Sequence, residues 1–129
     1  MADTVTLAEA VRELVHDGDT VALEGFTHLI SNAAGHELIR QGLRDLTFVR
    51  MTPDVIYDQL IGMGAARKLV FSWGGNPGVG SLHRFRDAVE HGWPLPLELE
   101  EHSLRAEQHP TGYLMSVYEE RGLLVFRTA

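Results

Sequence analysis

The stretch DGDTVALEGFTH, residues 17–28, decides how the rest of the chain is interpreted. Its first three residues favour a turn, because glycine and short polar residues readily adopt turn conformations. The apolar run over residues 20–23 predicts a short β-strand, and residues 25–27 then break it. The segment therefore predicts a turn, a strand and a loop in succession.

Helical and extended patterns alternate through the rest of the sequence. Four helices are predicted: over residues 6–15, over residues 32–41, from residues 52–54 with Pro53 in the first position, and from a cap at Ser81 to Gly92. Four strands are predicted: over residues 20–23, 46–51 and 69–73, and at Leu95, Leu97 and Leu99. Such alternation indicates right-handed βαβ units. The predicted fold class is α/β, a mostly parallel sheet with flanking helices in a Rossmann-like three-layer arrangement.

The helices have recognisable ends and apolar faces. Thr6 and Glu9 form a capping-box pair, and Gly18 lies where a C-terminal cap is expected. The predicted buried faces, at helical spacing, are Leu7, Val11, Leu14 and Val15 in the first helix, Ile56, Leu60 and Met63 in the third, and Leu82, Phe85 and Val89 in the fourth. Prolines beside the last strand favour an edge position for it.

Composition excludes several classes of function. The 129 residues suffice for one domain, and 44% hydrophobic with 22% charged residues is ordinary for a soluble protein. A net charge of −7 argues against nucleic acid as a main partner. The absence of cysteine excludes disulfides, thiolate metal sites and a cysteine nucleophile. Neither a membrane span nor a signal peptide is apparent, so a cytoplasmic location is expected.

Two loops of the predicted sheet could bind a ligand, because ligands of such sheets bind beyond the carboxyl ends of the strands. They are residues 24–31 and 74–80, and the second contains four glycines in seven residues. Glycines allow close backbone approach, and the helix that follows directs free N–H groups toward the loop. This suits a phosphate, a carboxylate or a thioester oxygen. The alternative is a flexible connection between a strand and a helix.

Several side chains in or near these loops could have either a functional or a structural role. Glu24 could act as a base or nucleophile, or could be a solvated residue at a strand end. His28 and His36 could form a metal pair, but no third ligand is placed, so no metal site is expected. Trp73 could stack on a ligand, although packing in the core is the ordinary role of such a residue.

Residues 17–26 resemble the signature that opens the alpha subunit, the first of the two subunits, of family I coenzyme A transferases. That signature has Asp-Gly, two variable residues, three apolar residues and Gly-Gly-Phe, and here Glu24 replaces the first of the paired glycines. Further blocks are similar to the glutaconate CoA-transferase subgroup, at residues 24–29, 33–37, 74–80, 84–90 and 97–103. The resemblance covers residues 5–103. It implies that residues 1–103 are the N-terminal part of an alpha-subunit domain and residues 104–129 a divergent tail, so that the chain is a truncated copy.

The resemblance also implies a function. A heteromeric CoA-transferase moves CoA between an acyl-CoA and a carboxylic acid, with a nucleophilic glutamate in the second, or beta, subunit, so no catalytic residue is expected here. The implied substrate-binding and oxyanion residues are Gly25, Phe26, Thr27, Gly74, Gly75, Asn76 and Gly78, with Glu24 and His28 as further candidates. The implied partners are the CoA-transferase beta subunit and acyl-CoA, with coenzyme A as a substrate and no cofactor. The alternatives are an acyl-CoA hydrolase or ring-opening enzyme on the same scaffold, and a non-catalytic remnant.

Overall fold

A computed structural model describes most of the first hundred residues and part of the remainder. The described residues are 4–23, 30–72, 74–75, 80 and 82–101, together with the backbone of 105–109, 112–116 and 125–127. The elements are α1 (Leu7–Leu14), β1 (Thr20–Ala22), α2 (Asn32–Arg40), β2 (Leu46–Val49), α3 (Val55–Gly62), β3 (Ala66–Phe71), α4 (His83–His91), β4 (Glu98–Glu101), β5 (Arg105–His109), β6 (Gly112–Ser116) and β7 (Val125–Arg127). Up to β4 they follow the predicted alternation of helix and strand.

The first four strands form one parallel sheet in the order β1-β2-β3-β4. Its register aligns Val21 with Phe48, Phe48 with Leu69, and Leu69 with Leu99. The side chains of these four residues lie in a row across one face of the sheet. The predicted α/β class with a mostly parallel sheet and flanking helices is therefore confirmed.

The strand at the edge, β4, begins at Glu98, later than the alternation of leucines predicts. Pro94 and Pro96 cannot donate backbone hydrogen bonds, so pairing with β3 starts only beyond them. Leu95 consequently lies outside the strand and is exposed. The predicted edge position of β4 among these four strands is correct.

The hydrophobic core lies between one face of the sheet and the helices. Side chains of the strands and of α1–α4 form a single cluster, with Val11, Leu38, Leu46, Phe48, Ile56, Leu60, Leu69, Phe71 and Ala88 among its buried members. Complete burial of one such large side chain contributes about 1.5–3 kcal/mol. The described helices thus form one layer. A helical layer on the other face, which the three-layer expectation requires, is not among the described residues.

The other face of the sheet carries a small apolar cluster and a charged group. Val49 and Val70 are buried there, and the neighbouring Lys68 Nζ lies 2.5 Å from Glu100 Oε2 and 3.0 Å from Glu98 Oε1. The hydrogen bond with Glu100, followed by that with Glu98, raises the pKa of Lys68 above its ordinary value. These contacts join β3 to β4 beside their backbone pairing.

The predicted capping box at the start of α1 is present. Thr6 Oγ1 accepts a hydrogen bond from the Glu9 N–H at 3.2 Å, and Glu9 Oε2 accepts one from the Thr6 N–H at 2.8 Å. The hydrogen bonds from Thr6 lower the pKa of Glu9. The prediction for Gly18 is wrong. Val15 is the C-cap, and Gly18 instead donates its N–H to the Arg44 carbonyl in a separate turn.

The predicted buried face of α1 is only partly correct. Val11 is buried and Val15 packs against the core, but Leu7 is 43% and Leu14 is 75% exposed. The helix contacts α2 along one side, where Gln41 Nε2 donates to the Ala8 carbonyl at 2.8 Å. Periodicity alone could not reveal that Leu7 and Leu14 stay exposed beside this contact.

Helices α2 and α3 approach closely at Gly35. A Cβ atom at this position would overlap Ile56 Cγ1 and lie 2.6 Å from its Cδ1. Because Ile56 is fully buried, its side chain has little room to move. The absence of a side chain at Gly35 therefore fixes the distance between the two helices.

The predictions for α3 and α4 need correction at their ends. Ile56 and Leu60 are buried as predicted, but Met63 is the exposed C-cap of α3. Pro53 precedes the N-cap residue, so the helix begins two residues later than predicted. In α4, Leu82 is buried as predicted, whereas Val89 is 46% exposed.

Ala88 occupies the inner position of α4 instead of Val89. The Phe85 ring rests edge-on against Phe71, with their centroids 5.8 Å apart. Phe85 and Ala88 are three residues apart, which places them on the same face of the helix. The helix ends as predicted, at Gly92, which has a left-handed φ of 68° and donates its N–H to the Ala88 carbonyl. The predicted cap at Ser81 is wrong: Leu82 is the N-cap residue of α4, so the helix begins one residue later than predicted, and Ser81 itself lies outside the described residues.

The remaining strands β5, β6 and β7 form a separate antiparallel sheet in that order. The boundary at residues 103 and 104 between an alpha-subunit domain and a divergent tail stays a prediction. None of the helices in the described part of the chain is long and apolar enough to cross a membrane.

Candidate functional site: the carboxyl rim of the sheet

The carboxyl ends of β1, β2 and β3 meet at one edge of the sheet, here called the rim. Leu23, Arg50 and Ser72 are the first residues after these strands. Since β1 and β3 both run parallel to β2, the loops that follow them, residues 24–31 and 74–80, leave from the same rim. This is the edge at which ligands of open parallel sheets bind.

Three helices begin at the rim. Each strand is followed by a helix that runs back along the sheet, so α2, α3 and α4 start there. The first N–H groups of a helix have no partner within it and carry a partial positive charge. Some of these groups already have acceptors: the Phe85 N–H of α4 donates to Asp58 Oδ1 at 2.9 Å and the Asn32 N–H of α2 to the Ile30 carbonyl at 2.8 Å. The other N–H groups are favourable for the carboxylate, phosphate and thioester oxygens that the sequence predicts as ligands.

Arg50 lies behind the rim and is 4% exposed. Its Nη1 donates to the Leu23 carbonyl at 2.9 Å and its Nε to the Thr52 carbonyl at 3.2 Å. Its Nη2 lies 3.5 Å from Asp54 Oδ2. A buried guanidinium is costly unless its donors and charge are matched, and these contacts match its charge and part of its donors.

Tyr57, in α3, also forms hydrogen bonds with Leu23. Its hydroxyl donates to the Leu23 carbonyl at 2.8 Å and accepts the Leu23 N–H at 3.2 Å. Its buried ring packs edge-on against Phe48 at 5.6 Å and lies 5.8 Å from the Arg50 guanidinium carbon. The peptide groups of Leu23, where the first loop begins, are thus fixed by two side chains from other elements.

The second loop is attached to the same connection between β2 and α3, residues 50–54. The N–H and the hydroxyl of Ser72 both donate to the Met51 carbonyl at 3.1 Å. The Gly75 N–H donates to the Pro53 carbonyl at 3.2 Å. The 50–54 connection therefore contacts the chain at the start of both loops.

Asp54 ends this connection as the N-cap residue of α3, but its side chain makes no capping hydrogen bond. Its Oδ2 faces Arg50. Its Oδ1 is buried and accepts no hydrogen bond from the described part of the chain. A buried acceptor without a donor costs about 1–3 kcal/mol.

The described residues include only two of the predicted site residues. Gly74 and Gly75 lie at the rim, where a Cβ at Gly74 would be 3.5 Å from the Phe85 ring and 3.7 Å from the Phe71 ring. Glu24, Gly25, Phe26, Thr27, His28, Asn76 and Gly78, and also Trp73, lie outside the described residues. Their roles stay predictions.

Sequence reasoning missed Arg50, Asp54 and Tyr57. Their importance comes from contacts with Leu23, which is far from them along the chain. One local signal was available: Arg50 ends an apolar strand, and a carboxylate follows four residues later. A charged side chain next to a buried strand needs a partner of opposite charge, and Asp54 is the carboxylate at helical spacing that could provide it.

No group of three potential metal ligands occurs among the described residues. His36, one member of the histidine pair considered above, is exposed and its Nε2 lies 2.7 Å from Gln59 Oε1. His28 lies outside the described ranges.

The chain belongs to the coenzyme A transferase family. The family profile described as Coenzyme A transferase matches residues 4–92, which include the rim and the starts of both loops. The resemblance read from the sequence is thereby confirmed.

Among its relatives is the alpha subunit of 3-oxoadipate CoA-transferase from Pseudomonas knackmussii, to which the chain is 73% identical over 103 residues. The match covers 80% of this chain and 36% of that protein. It is 37% identical over 94 residues to the alpha subunit of glutaconate CoA-transferase from Acidaminococcus fermentans, in a match that covers 71% of this chain and 29% of that protein. The chain thus spans about a third of the length of these relatives.

Two solved structures are similar in fold. The crystal structure of glutaconate coenzyme A-transferase from Acidaminococcus fermentans matches with a TM-score of 0.69 and 37% identity, over 77% of this chain and 31% of that one. A variant of the decarboxylase AibA/AibB matches with a TM-score of 0.65 and 26% identity, over 77% of this chain and 38% of that one.

Proposed function

We propose that the chain is the N-terminal part of the alpha subunit of a heteromeric CoA-transferase, which moves CoA from an acyl-CoA to a carboxylic acid. The observation that carries the proposal is the 73% identity over 103 residues to an alpha subunit of this class. The geometry is compatible with it, because both candidate loops leave from one rim beside three helix N-termini.

The rim suits the chemistry of acyl transfer. Attack on a thioester places negative charge on the carbonyl oxygen, and main-chain N–H groups stabilise such an oxyanion without having to reorient. In this proposal residues 25–27 and Gly74, Asn76 and Gly78 supply those N–H groups, while the Gly75 N–H is bound to the Pro53 carbonyl. The nucleophilic glutamate comes from the beta subunit, coenzyme A is a substrate, and no further cofactor takes part.

The relative named for 3-oxoadipate suggests the acid. We infer that 3-oxoadipate, a dicarboxylic acid, is the acceptor whose carboxylate receives CoA from the enzyme. The helix N-termini at the rim favour a second negative charge of this kind. A cytoplasmic location is part of the same proposal.

The test is a transferase assay on the chain co-expressed with its candidate beta subunit. A panel of acyl-CoA donors is offered with 3-oxoadipate, with glutaconate, and without an acceptor, and the isolated beta subunit is the control. We expect CoA transfer that requires both chains and is faster with 3-oxoadipate. Release of free acid at the same rate without an acceptor would indicate a hydrolase. Transfer at an equal rate by the isolated beta subunit would indicate that this chain is a non-catalytic remnant.

A further inference from the structure

The outer edge of β4 lies at one side of the parallel sheet. On its inner side β4 pairs with β3, from Lys68 opposite Glu98 to Phe71 opposite Glu101, and none of the described strands pairs with its outer side. An edge strand directs unpaired backbone N–H and C=O groups outward, and an extended segment of another chain can add to them as a further strand. This edge is accessible, because Glu98, Leu99 and Glu101 are exposed.

The two faces of β4 differ in chemistry, because successive side chains of a strand point to opposite faces of the sheet. Glu98 and Glu100 lie on the same face as Lys68, whose Nζ contacts both carboxylates. Leu99 lies on the helix-bearing face, in the row with Leu69, and is 40% exposed. A strand added to this edge would therefore meet carboxylates on one face and an apolar side chain on the other.

The edge carries more negative than positive charge. Three of the four residues of β4 are glutamates, and Lys68 is the cation that contacts two of them. Opposite charges on neighbouring strands favour their pairing, and like charges oppose it. The outer edge of β4 is thus complementary in charge to a basic strand.

The same charges disfavour a second copy of this chain as the occupant. Pairing of β4 with β4 of another copy would bring glutamates of the two strands side by side, in either direction, because glutamate fills all positions except Leu99. Charged edges of this kind prevent association between identical sheets. Protection of this kind needs only charge, whereas Leu99 adds an apolar contact that an alternating partner strand can cover.

We propose that the outer edge of β4 is a docking site for an extended segment of a partner protein in which lysine or arginine alternates with apolar residues. The basic side chains lie beside Glu98 and Glu100, the apolar ones lie beside Leu99, and the backbone adds a further strand to the sheet. The inference goes beyond the proposed function, because it concerns the side of the sheet and not the loops at its rim.

The probe is a short synthetic peptide in which lysine and valine alternate, titrated into the isotope-labelled full chain and followed by NMR. The control peptide has the same composition with all lysines placed before the valines, so its charge is equal but the alternation is lost. We expect the alternating peptide to shift the amide signals of Glu98–Glu101 and to bind about 10-fold more tightly than the control. It should also slow hydrogen exchange of these amides by about fivefold, because strand addition engages backbone groups.

Two charge reversals locate the binding. Glu98→Lys is compared with Glu90→Lys on α4, because the two carboxylates are 57% and 54% exposed and each contacts one cation, Lys68 and Arg86 respectively. We expect Glu98→Lys to lower the affinity for the alternating peptide by about 10-fold and Glu90→Lys to change it by less than about twofold. Glu98→Gln keeps the shape of the side chain and should lower the affinity by about threefold, so the test stands if the reversal impairs folding.

Three results would overturn the proposal. Equal affinity for the two peptides, or equal loss in the two reversal variants, would mean that net charge alone attracts the peptide. Shifted amide signals that lie outside β4 would place the binding elsewhere. A dimer of the full chain by light scattering, with the amides of Glu98–Glu101 protected from exchange, would identify a second copy as the occupant.

Discussion

Gly35 in α2 provides a sharp test of how closely the helices pack. Replacing it with alanine should gain about 1 kcal/mol from helix propensity. The added methyl group, however, would lie 2.6 Å from Ile56 Cδ1 and overlap Cγ1. Ile56 is fully buried, so relief requires movement of the helices, and overpacking of this kind costs up to about 3 kcal/mol. We expect Gly35→Ala to destabilise the fold by about 2 kcal/mol.

Gly62 in α3 is the matched control. A Cβ there would also meet a neighbour, at 2.8 Å from Arg84 Cγ and 3.0 Å from its Cδ. Arg84 is exposed, and its long side chain can rotate away into solvent. Gly62→Ala should therefore be neutral, or stabilising by up to about 1 kcal/mol from propensity alone.

The assay is urea unfolding of the full chain, followed by far-ultraviolet circular dichroism. With a slope of about 2 kcal/mol/M, a loss of about 2 kcal/mol lowers the midpoint by about 1 M. In the background of Ile56→Ala, which removes the overlapping atoms, Gly35→Ala should cost less than it does alone. A midpoint for Gly35→Ala equal to that of wild type or above it would refute the argument.

Two further predictions concern polar contacts. Thr6→Ala should destabilise α1 by about 1 kcal/mol at neutral pH. Because the lowered pKa of Glu9 comes from its hydrogen bonds with Thr6, this difference from wild type should shrink as the pH falls through that pKa, and urea midpoints across acidic pH check it. Lys68→Met should cost about 1 kcal/mol or less. The raised pKa of Lys68, due first to Glu100, means that its stabilisation is complete below about pH 10 wherever Glu98 and Glu100 are ionised, and is lost as the pH rises through the raised value; a difference between the two proteins that grows with pH above about pH 10 would contradict this.

Local signals in the sequence were sufficient for much of the fold. The capping box at Thr6 depends on residues three apart, and the strand at residues 20–23 on a single apolar run, so both could be read directly. The alternation of elements then indicated the parallel sheet. Residues 24–31 and 74–80 follow strands that were predicted to be parallel. Their position at the same rim could therefore be inferred from the sequence.

Errors arose where a neighbour decides the outcome. Leu7 and Leu14 fit the helical period but are exposed. In α4, Ala88 and not Val89 belongs to the core cluster, against which Phe85 also packs. A period of 3.6 residues indicates that an apolar face exists, but not which of two adjacent side chains a partner element will cover.

The contacts behind the rim were the least accessible from sequence. The hydrogen bonds of Arg50 and Tyr57 to Leu23 join residues from three separate parts of the chain: the ends of β1 and β2, and α3. No spacing within one helix or strand encodes such contacts. They follow only after the register of β1 on β2 is known.

The strand order β1-β2-β3-β4 has a consequence for how the chain acquires its structure. Every strand of this sheet pairs with the strand that precedes it in the chain, and partners such as Thr20 and Thr47 are separated by only roughly 20 to 30 residues, so each closure costs little chain entropy. Each new strand can dock on an edge that is already formed, without threading between finished strands. Assembly can therefore proceed in the direction of synthesis, one strand and helix at a time, while later residues are still being added.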